Sequence, residues 1–216
     1  MTRQLGPTDL KRLHREWNHR STGRVALLFD GLSSPFNIGA ITRTAAAYRV
    51  EHVYVAGGGL TPGHPKAGKT ALGTERYLRW STYERGPDAV AAAREDGLVV
   101  VGLELAEGAT PLHLLEAGPD VCLAVGNEDH GMSPATLASC DLVAFLPQLG
   151  RVGSLNVATA TSIALYELRR REWAAPVEGS GPAEESEPQE ESELQEESEP
   201  HEESGPDRVG DQTAPG

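Results

Sequence analysis

The chain has 216 residues, of which 32 are acidic and 19 are basic, so its formal net charge is −13. Residues 1–175 hold 18 acidic and 18 basic side chains, whereas residues 176–216 hold 14 acidic side chains and one basic one. Residues 1–175 are numerous enough for one domain with its own core. Because this part of the chain has no net charge, the protein is not uniformly acidic, and an anionic partner such as RNA is compatible with it.

Residues 1–23 are predicted to form a basic arm that contains one short helix. Thr8 is expected to cap this helix, with Leu10, Leu13 and Trp17 on its apolar side. Its outward-facing basic residues include Arg12, Arg15 and Arg20. A second basic stretch contains Lys66 and Lys69, and the aromatic residues Tyr77 and Trp80 belong to the same part of the sequence. Each stretch suits either an ordinary solvated face or a surface that binds the RNA backbone.

Residues 24–175 alternate between apolar strands and helices. The predicted strands are 24–29, 52–56, 98–105, 121–125 and 142–146. The predicted helices are 37–48, 88–94, 133–139 and 155–173. Near-continuous apolar strands that alternate with helices indicate an α/β fold, in which a mostly parallel sheet is covered on both faces. Gly57–Gly59 end the second strand and do not fit a dinucleotide-binding pattern.

The last segment, residues 176–216, is predicted to be a disordered acidic tail. A six-residue unit beginning Glu-Glu-Ser-Glu repeats from Glu184, from Glu190 and from Glu196. Such a sequence has little apolar surface to bury and repels itself. It is either a solvating tail or an autoinhibitory mimic of a polyanion that folds back on a basic face.

Three further features limit the cellular setting and the chemistry. No apolar run approaches the roughly 20 residues that span a bilayer, and the first nine residues lack the apolar core of a secretion signal. Cys122 and Cys140 lie in apolar surroundings, which favours a reduced, cytoplasmic chain. The seven histidines do not cluster with them, so no metal site is predicted.

The first cluster of candidate functional residues lies after the first strand. Asn37 is expected to cap the helix that follows, and Arg43 lies two turns into that helix. The other residues of the helix are small or apolar, and they include Gly39 and Ala45. Arg43 is either an arginine that extends from a half-buried helix to water, or part of a surface against which something packs tightly.

Two more clusters follow the last two long strands. The loop 126–134 lies at the carboxyl end of a buried strand, where parallel sheets bind ligands. A polar turn capped by Ser133 explains the end of this loop but not Glu128. The segment 147–158 joins the last strand to the last helix, and Ser154 and Asn156 place polar groups at the N-terminus of that helix. This pair indicates a lined pocket.

In this order and spacing, the three clusters resemble the three motifs of the SpoU (TrmH) family of RNA ribose 2′-O-methyltransferases, within the SPOUT superfamily. The matching residues are Asn37 and Arg43, then Gly126, Asn127, Glu128 and Gly131, then Pro147, Gly150, Ser154, Leu155, Asn156 and Val157. The resemblance covers residues 24–173. Ala158 departs from the serine of many relatives, which concerns helix packing more than chemistry.

The resemblance implies a SPOUT fold with a C-terminal trefoil knot and S-adenosylmethionine as the cofactor. It implies that the cofactor is held, largely by backbone groups, at Leu103, Gly126, Leu146 and Leu155. Arg43 would lie nearest the proton of the ribose 2′-OH. The residues that would orient Arg43, the ribose and the cofactor are Asn37, Glu128, Ser154 and Asn156. It also implies a homodimer in which Arg43 of one subunit reaches the cofactor pocket of the other.

The RNA target is expected to be a tRNA guanosine. Ribosomal RNA members of the family often carry an extra N-terminal domain, and the 23 residues before the predicted sheet are too few for one. The alternatives are an rRNA methyltransferase, a catalytically silent RNA-binding member of the fold, and a small-molecule methyltransferase. A small substrate would not need the basic residues Arg12, Arg15, Arg20, Lys66 and Lys69.

Overall fold

A computed structural model describes residues 2–61 and 65–174, and the predicted acidic tail lies outside them. In these ranges, seven strands form one sheet in which every pair of neighbours is parallel. The strands are β1 (Val25–Asp30), β2 (His52–Ala56), β3 (Arg79–Thr82), β4 (Val99–Leu103), β5 (Thr110–Pro111), β6 (Val121–Val125) and β7 (Leu142–Phe145). Their order across the sheet is β3-β2-β1-β6-β4-β7-β5. The prediction of a parallel α/β fold is confirmed.

Helices cover both faces of this sheet. They are α1 (Pro7–His19), α2 (Pro35–Ala47), α3 (Pro65–Ala71), α4 (Gly86–Glu95), α5 (Pro134–Ser139) and α6 (Val157–Ala174), with short 3₁₀ helices at Thr74–Tyr77 and Leu112–Leu114. Alternate residues of β1 point to opposite faces. Leu27 and Phe29 pack with α2, α3 and α6, whereas Ala26 and Leu28 pack with α4. Each face therefore has its own apolar core.

The second basic stretch is folded rather than an open loop. It forms α3, a 3₁₀ helix and the edge strand β3, none of which the apolar pattern predicts. Helix α3 packs closely on α2 at Gly39, where an added Cβ would lie 2.5 Å from the Cβ of Thr70 and 2.7 Å from the carbonyl oxygen of Ala67. The small residues of α2 are thus explained by tight packing within this chain.

Two predicted helix caps are wrong. Helix α1 begins at Pro7, directly after Gly6, and has no side-chain cap, so Thr8 lies inside the helix. Helix α2 begins at Pro35, and the Oγ of Ser34 accepts a hydrogen bond from the backbone N–H of Asn37. Proline suits the first helical position because no hydrogen bond is required of its nitrogen. Asn37 is therefore the third residue of α2, and its side-chain amide is not used for capping.

The sheet order places three strand ends side by side. Strands β6, β4 and β7 are neighbours, and β1 lies on the other side of β6. Because all are parallel, the segments that follow them emerge at one edge of the sheet, where ligands bind in open α/β sheets. Among the helices described, none has the length and apolar character needed to cross a bilayer.

Candidate active site

A cavity of about 420 Å³ lies at the carboxyl ends of β4, β6 and β7. Leu103 is the last residue of β4, Gly126 follows β6 and Leu146 follows β7. These three residues and Leu155, which precedes α6, all line the cavity. The four residues that the family resemblance implies for cofactor binding are therefore brought together. Small-molecule sites have volumes of about 300–1,000 Å³, a range that includes this one.

The carboxylate of Glu128 is held at the wall of this cavity by four hydrogen bonds. It accepts bonds from the backbone N–H groups of Ser33 (3.1 Å) and Ser34 (2.9 Å), from the Oγ of Ser33 (3.1 Å) and from the Nδ2 of Asn37 (3.1 Å). Burial raises the pKa of Glu128, but these bonds outweigh it and hold the pKa below its ordinary value. Glu128 is therefore an anion at neutral pH that fixes the start of α2.

The Asn37 side chain continues this network towards α6. Its Oδ1 accepts a hydrogen bond of 3.0 Å from the Nδ2 of Asn156. The Oδ1 of Asn156 accepts a bond of 2.9 Å from the N–H of Ala158 and one of 3.3 Å from that of Thr159, and so caps α6. A single chain of contacts thus joins Glu128, Asn37 and Asn156, one residue from each of the three sequence clusters.

The loop after β6 makes a tight turn that requires glycine. Asn127 and Gly131 exchange two backbone hydrogen bonds of 2.9 Å. An added Cβ at Gly126 would lie 2.1 Å from the backbone nitrogen of Met132, so no side chain fits there. Gly131 has a φ of +69°, in the left-handed region that glycine adopts without strain. Both glycines have the turn-forming role expected of them.

Arg43 and Ser154 are not part of this network. Arg43 is exposed on α2, makes no hydrogen bond or ion pair with the residues that the structure describes, and does not line the cavity. Ser154 lines the cavity but makes no side-chain hydrogen bond within the same ranges. The predicted orientation of Arg43 by Asn37, Glu128 and Asn156 therefore has no counterpart within the described part of one chain.

Gln148 and Glu104 are among the cavity residues that the sequence-based prediction does not name. The Oε1 of Gln148 is buried and has no hydrogen-bond partner among the residues described. Glu104 lines the same cavity, and its carboxylate accepts a hydrogen bond of 2.9 Å from the N–H of Met132. Each lies within three residues of the end of a strand, β7 and β4 respectively. That position at the ligand-binding edge is the signal that would have identified both.

The residues predicted to bind RNA lie on two helices. Arg12, Arg15 and Arg20 are exposed on or just after α1, and Lys66 and Lys69 are exposed on α3. Arg12 forms an ion pair of 3.7 Å with Asp9, and Arg20 forms one of 3.4 Å with Glu16. Such exposed pairs contribute little to stability, so these side chains are available for phosphate contacts.

Neither the cysteines nor the residue types that bind metals form a second candidate reaction centre among the residues described. Within residues 2–61 and 65–174, no group of three or more His, Cys, Asp or Glu side chains could hold a metal ion. Cys122 and Cys140 are both free thiols. Burial raises the pKa of Cys122, and it raises the pKa of Cys140 to about 11. Both are therefore protonated at neutral pH, and neither is an activated nucleophile.

Comparison with known proteins gives matches in both sequence and structure. Residues 24–166 match the SpoU rRNA Methylase family. The 23S rRNA (guanosine-2′-O-)-methyltransferase RlmB of Acinetobacter baylyi is 33% identical over 148 residues, which are 68% of this chain and 60% of that protein. The SpoU methyltransferase AviRb of Streptomyces viridochromogenes, solved with AdoMet, has a TM-score of 0.64 and 30% identity over 71% of this chain and 60% of its own.

An AdoMet-bound rRNA methyltransferase from Sinorhizobium meliloti gives a similar match. Its TM-score is 0.65 and its identity is 28%, over 70% of this chain and 58% of its own. The chain thus spans about 60% of the length of the curated relatives that it matches. The match to the family covers all seven strands, the three motif segments and the greater part of α6. The chain belongs to the SpoU rRNA methylase family.

Proposed function

We propose that the protein transfers a methyl group from S-adenosylmethionine to the ribose 2′-OH of an RNA guanosine. The observation that carries this proposal is the cavity of about 420 Å³ whose walls include Leu103, Gly126, Leu146 and Leu155. The names of the relatives support the chemistry: RlmB is a guanosine-2′-O-methyltransferase, and the AviRb and S. meliloti structures hold AdoMet.

The cavity suits this cofactor in shape and charge. Leucine side chains at 103, 146 and 155 provide apolar cover for the adenine ring. The cofactor has a sulfonium and an ammonium group against one carboxylate, and the carboxylates of Glu104 and Asp129 line the cavity as complementary charges. The bound cofactor supplies a methyl group on a good leaving group. The protein must therefore mainly align the 2′-oxygen and help to remove its proton.

The unpartnered oxygen of Gln148 predicts a direct bond to the cofactor. Gln148→Leu keeps a similar volume but removes the acceptor, so the affinity for S-adenosylhomocysteine is expected to fall about fivefold, as measured by isothermal titration calorimetry. Leu149→Ala is the matched control, because Leu149 is adjacent and fully exposed. Equal affinities for the two variants would show that Gln148 does not contact the cofactor.

Arg43 is proposed to bind the target phosphate and to stabilise the negative charge that develops on the 2′-oxygen. A guanidinium remains protonated at any accessible pH, so it is a poor base. Glu128 is a weak base as well, because four hydrogen bonds occupy its carboxylate oxygens and hold its pKa below the ordinary value. The proton would pass to the RNA phosphate or to water. Asn37 and Asn156 would then fix the relative positions of α2 and α6.

Since Arg43 does not line the cavity of its own chain, we propose a homodimer in which it completes the site of the partner. Helices α2 and α6 pack against each other, and the hydroxyl of Thr44 lies 3.3 Å from that of Ser162. Large apolar side chains on these helices are exposed: Phe36 by 68%, Ile163 by 45% and Tyr166 by 48%. Exposed apolar side chains on the helix that carries Arg43 and on the helix packed against it are typical of a subunit interface.

Complementation between two inactive variants tests this shared site. An Arg43→Ala chain keeps its cavity, whereas Leu155→Arg fills the cavity and keeps Arg43. Each variant alone is expected to be inactive, and an equal mixture of refolded chains is expected to recover about a quarter of the wild-type activity. The reason is that half of the dimers would be mixed, with one intact site each. No recovery in mixed dimers isolated through two different affinity tags would contradict the shared site.

The trefoil knot and the domain division remain proposals. Helix α6 packs on α2, and the guanidinium of Arg171 donates hydrogen bonds to the carbonyls of Leu112 and Leu115. Those carbonyls belong to the connection between β5 and β6, so α6 lies against a segment that precedes it by more than 40 residues. The proposed divisions are a basic arm at 1–23, a methyltransferase domain at 24–175 and an acidic tail at 176–216.

Two classes of RNA are candidate substrates, namely tRNA and 23S rRNA. The RlmB relative favours 23S rRNA, and tRNA is the alternative target. Both are tested by transfer of labelled methyl from S-adenosylmethionine to unmodified tRNA and rRNA transcripts, followed by nuclease mapping. Label on one ribose would establish the reaction and the target together. No label on either RNA, with cofactor bound, would contradict RNA methyl transfer and favour a small-molecule substrate or a binding-only role.

A further inference from the structure

A second cavity shares no lining residue with the candidate active site. Its volume is about 650 Å³, and it opens between α1 and the C-terminal ends of α2 and α6. We call it the α1 groove, lined by Leu13, His14, Trp17, Asn18, Ser21, Ala46, Ala47, Tyr48, Arg49, Val50, Tyr77, Arg169 and Trp173. Nothing in the proposed methyl transfer uses it.

Aromatic rings dominate the walls of the α1 groove. Trp17 and Trp173 pack edge to face, with ring centroids 5.1 Å apart, and tie α1 to α6. Tyr77, from the 3₁₀ helix before β3, is 64% exposed, and Trp17 is 39% exposed. Rings of this size are usually covered, since burying them is strongly favourable. The open rings therefore mark a surface that a planar apolar group can cover.

The charge of the α1 groove is positive. None of its lining residues is Asp or Glu, whereas Glu104, Glu128 and Asp129 line the candidate active site. The guanidinium of Arg20 lies 5.0 Å from the ring centroid of Trp17, and that of Arg76 lies 4.9 Å from the ring centroid of Tyr77. Arginines that lie over exposed rings, beside an apolar groove, are suited to an occupant that combines a flat ring with negative charge.

Arg49 supports this groove at the cost of backbone strain. Its φ is 54°, in the left-handed region that non-glycine residues rarely adopt. Its guanidinium donates hydrogen bonds to the carbonyls of Asn18 (3.4 Å) and Ser21 (3.0 Å), which follow or end α1. A glycine here would remove the strain and the two bonds together. Strained positions that hold a binding surface are common at functional sites.

We propose that the α1 groove binds an unpaired nucleobase of the RNA substrate. The base stacks on Tyr77 and Trp17, and the adjoining phosphates pair with Arg20 and Arg76. Alternating rings and cations are the elements with which proteins bind single-stranded RNA, because every base has a π-face and every nucleotide a negative charge. This inference rests on the proposed function only in taking RNA as the substrate. It adds a second contact with RNA, outside the cavity of the candidate active site.

The test uses the full-length protein and direct binding, without methyl transfer. Fluorescence anisotropy measures the affinity for a labelled single-stranded RNA of about 12 nucleotides and for the duplex of the same sequence. Tyr77→Leu removes the ring, and Tyr77→Phe keeps it. We expect single-strand affinity to fall about tenfold in Tyr77→Leu and to stay within about twofold of wild type in Tyr77→Phe, with little change for the duplex. Thermal melting checks that both variants are folded.

Each other outcome has a definite meaning. Equal single-strand affinities for Tyr77→Leu and Tyr77→Phe would overturn the base-binding groove. A lower oligomeric state of Tyr77→Leu in sedimentation, with RNA affinity unchanged, would identify a second copy of the chain as the occupant instead. If the wild type binds no RNA, the groove and the proposed function fall together. If Tyr77→Leu loses affinity but no RNA is ever methylated, the groove stands and the proposed reaction fails.

Discussion

Arg43→Ala is expected to lower the rate of methyl transfer by about 10²–10³-fold while leaving the affinity for S-adenosylhomocysteine unchanged. The rate falls because one donor to the developing negative charge is removed. The affinity for the cofactor product is kept because Arg43 is exposed on α2 and does not line the cavity of its own chain. In the partner's site its proposed contacts are with the RNA phosphate and the 2′-oxygen. Single-turnover kinetics with saturating RNA and calorimetric titration of the cofactor product measure the two quantities separately.

Two further variants serve as controls for Arg43→Ala. Arg43→Lys keeps the charge but loses the planar fork that binds phosphate through two hydrogen bonds, so an intermediate rate is expected. Arg85→Ala removes another exposed arginine, at the start of α4 on the opposite face of the sheet, and both quantities should stay at wild-type values. A large loss of cofactor affinity in Arg43→Ala would contradict the role proposed for this residue.

Arg169→Met is expected to lower the free energy of unfolding by about 3–5 kcal/mol, the largest effect on stability that the structure predicts. The side chain of Arg169 is only 2% exposed. Its guanidinium donates bonds of 2.9 Å to the carbonyls of Gly23, Tyr48 and Arg49, and one of 2.6 Å to the carboxylate of Glu172. Methionine would leave three carbonyls without this donor and Glu172 without its charge partner.

Urea unfolding followed by circular dichroism measures this loss. Arg170→Met is the control on the same helix, since Arg170 is 46% exposed and pairs with Glu167 at the surface. Its effect should stay below about 1 kcal/mol, as for most exposed ion pairs. Similar midpoints and slopes for the two variants would mean that Arg169 is not a structural link between α6, the end of α2 and the start of β1.

The sheet was predictable from sequence because its central strands are buried on both faces. Strands such as Val121–Val125 consist of apolar residues without a polar one between them. A short continuous apolar run of this kind is typical of a strand that is buried on both faces. Edge elements were not predictable in the same way. Strand β3 has exposed or half-buried residues, and α3 spans only seven residues, so neither leaves a clear apolar period.

Asn37, Glu128 and Asn156 were predictable as candidate residues, but their contacts with one another were not. Asn37 and Glu128 are 91 residues apart and Asn37 and Asn156 are 119 apart, and no local period records such pairings. The motif resemblance identified these residues, and the packing of three segments determined that Asn37 is an internal link rather than a cap. The role of Arg169 was hidden for the same reason, since a charged residue near the end of a helix is usually solvated.

The hydrogen bonds that join Glu128, Asn37 and Asn156 also have a consequence for folding. A cavity assembled from segments this far apart exists only once the central sheet and α6 are both in place, and all-parallel sheets with such distant pairings form slowly. A chain arrested before that stage has no cofactor site. Cofactor in the cell would therefore stabilise only molecules that have completed assembly, by about 2.7 kcal/mol at a hundredfold excess over the dissociation constant. The cofactor would in this way act as a selective stabiliser of the fully assembled protein.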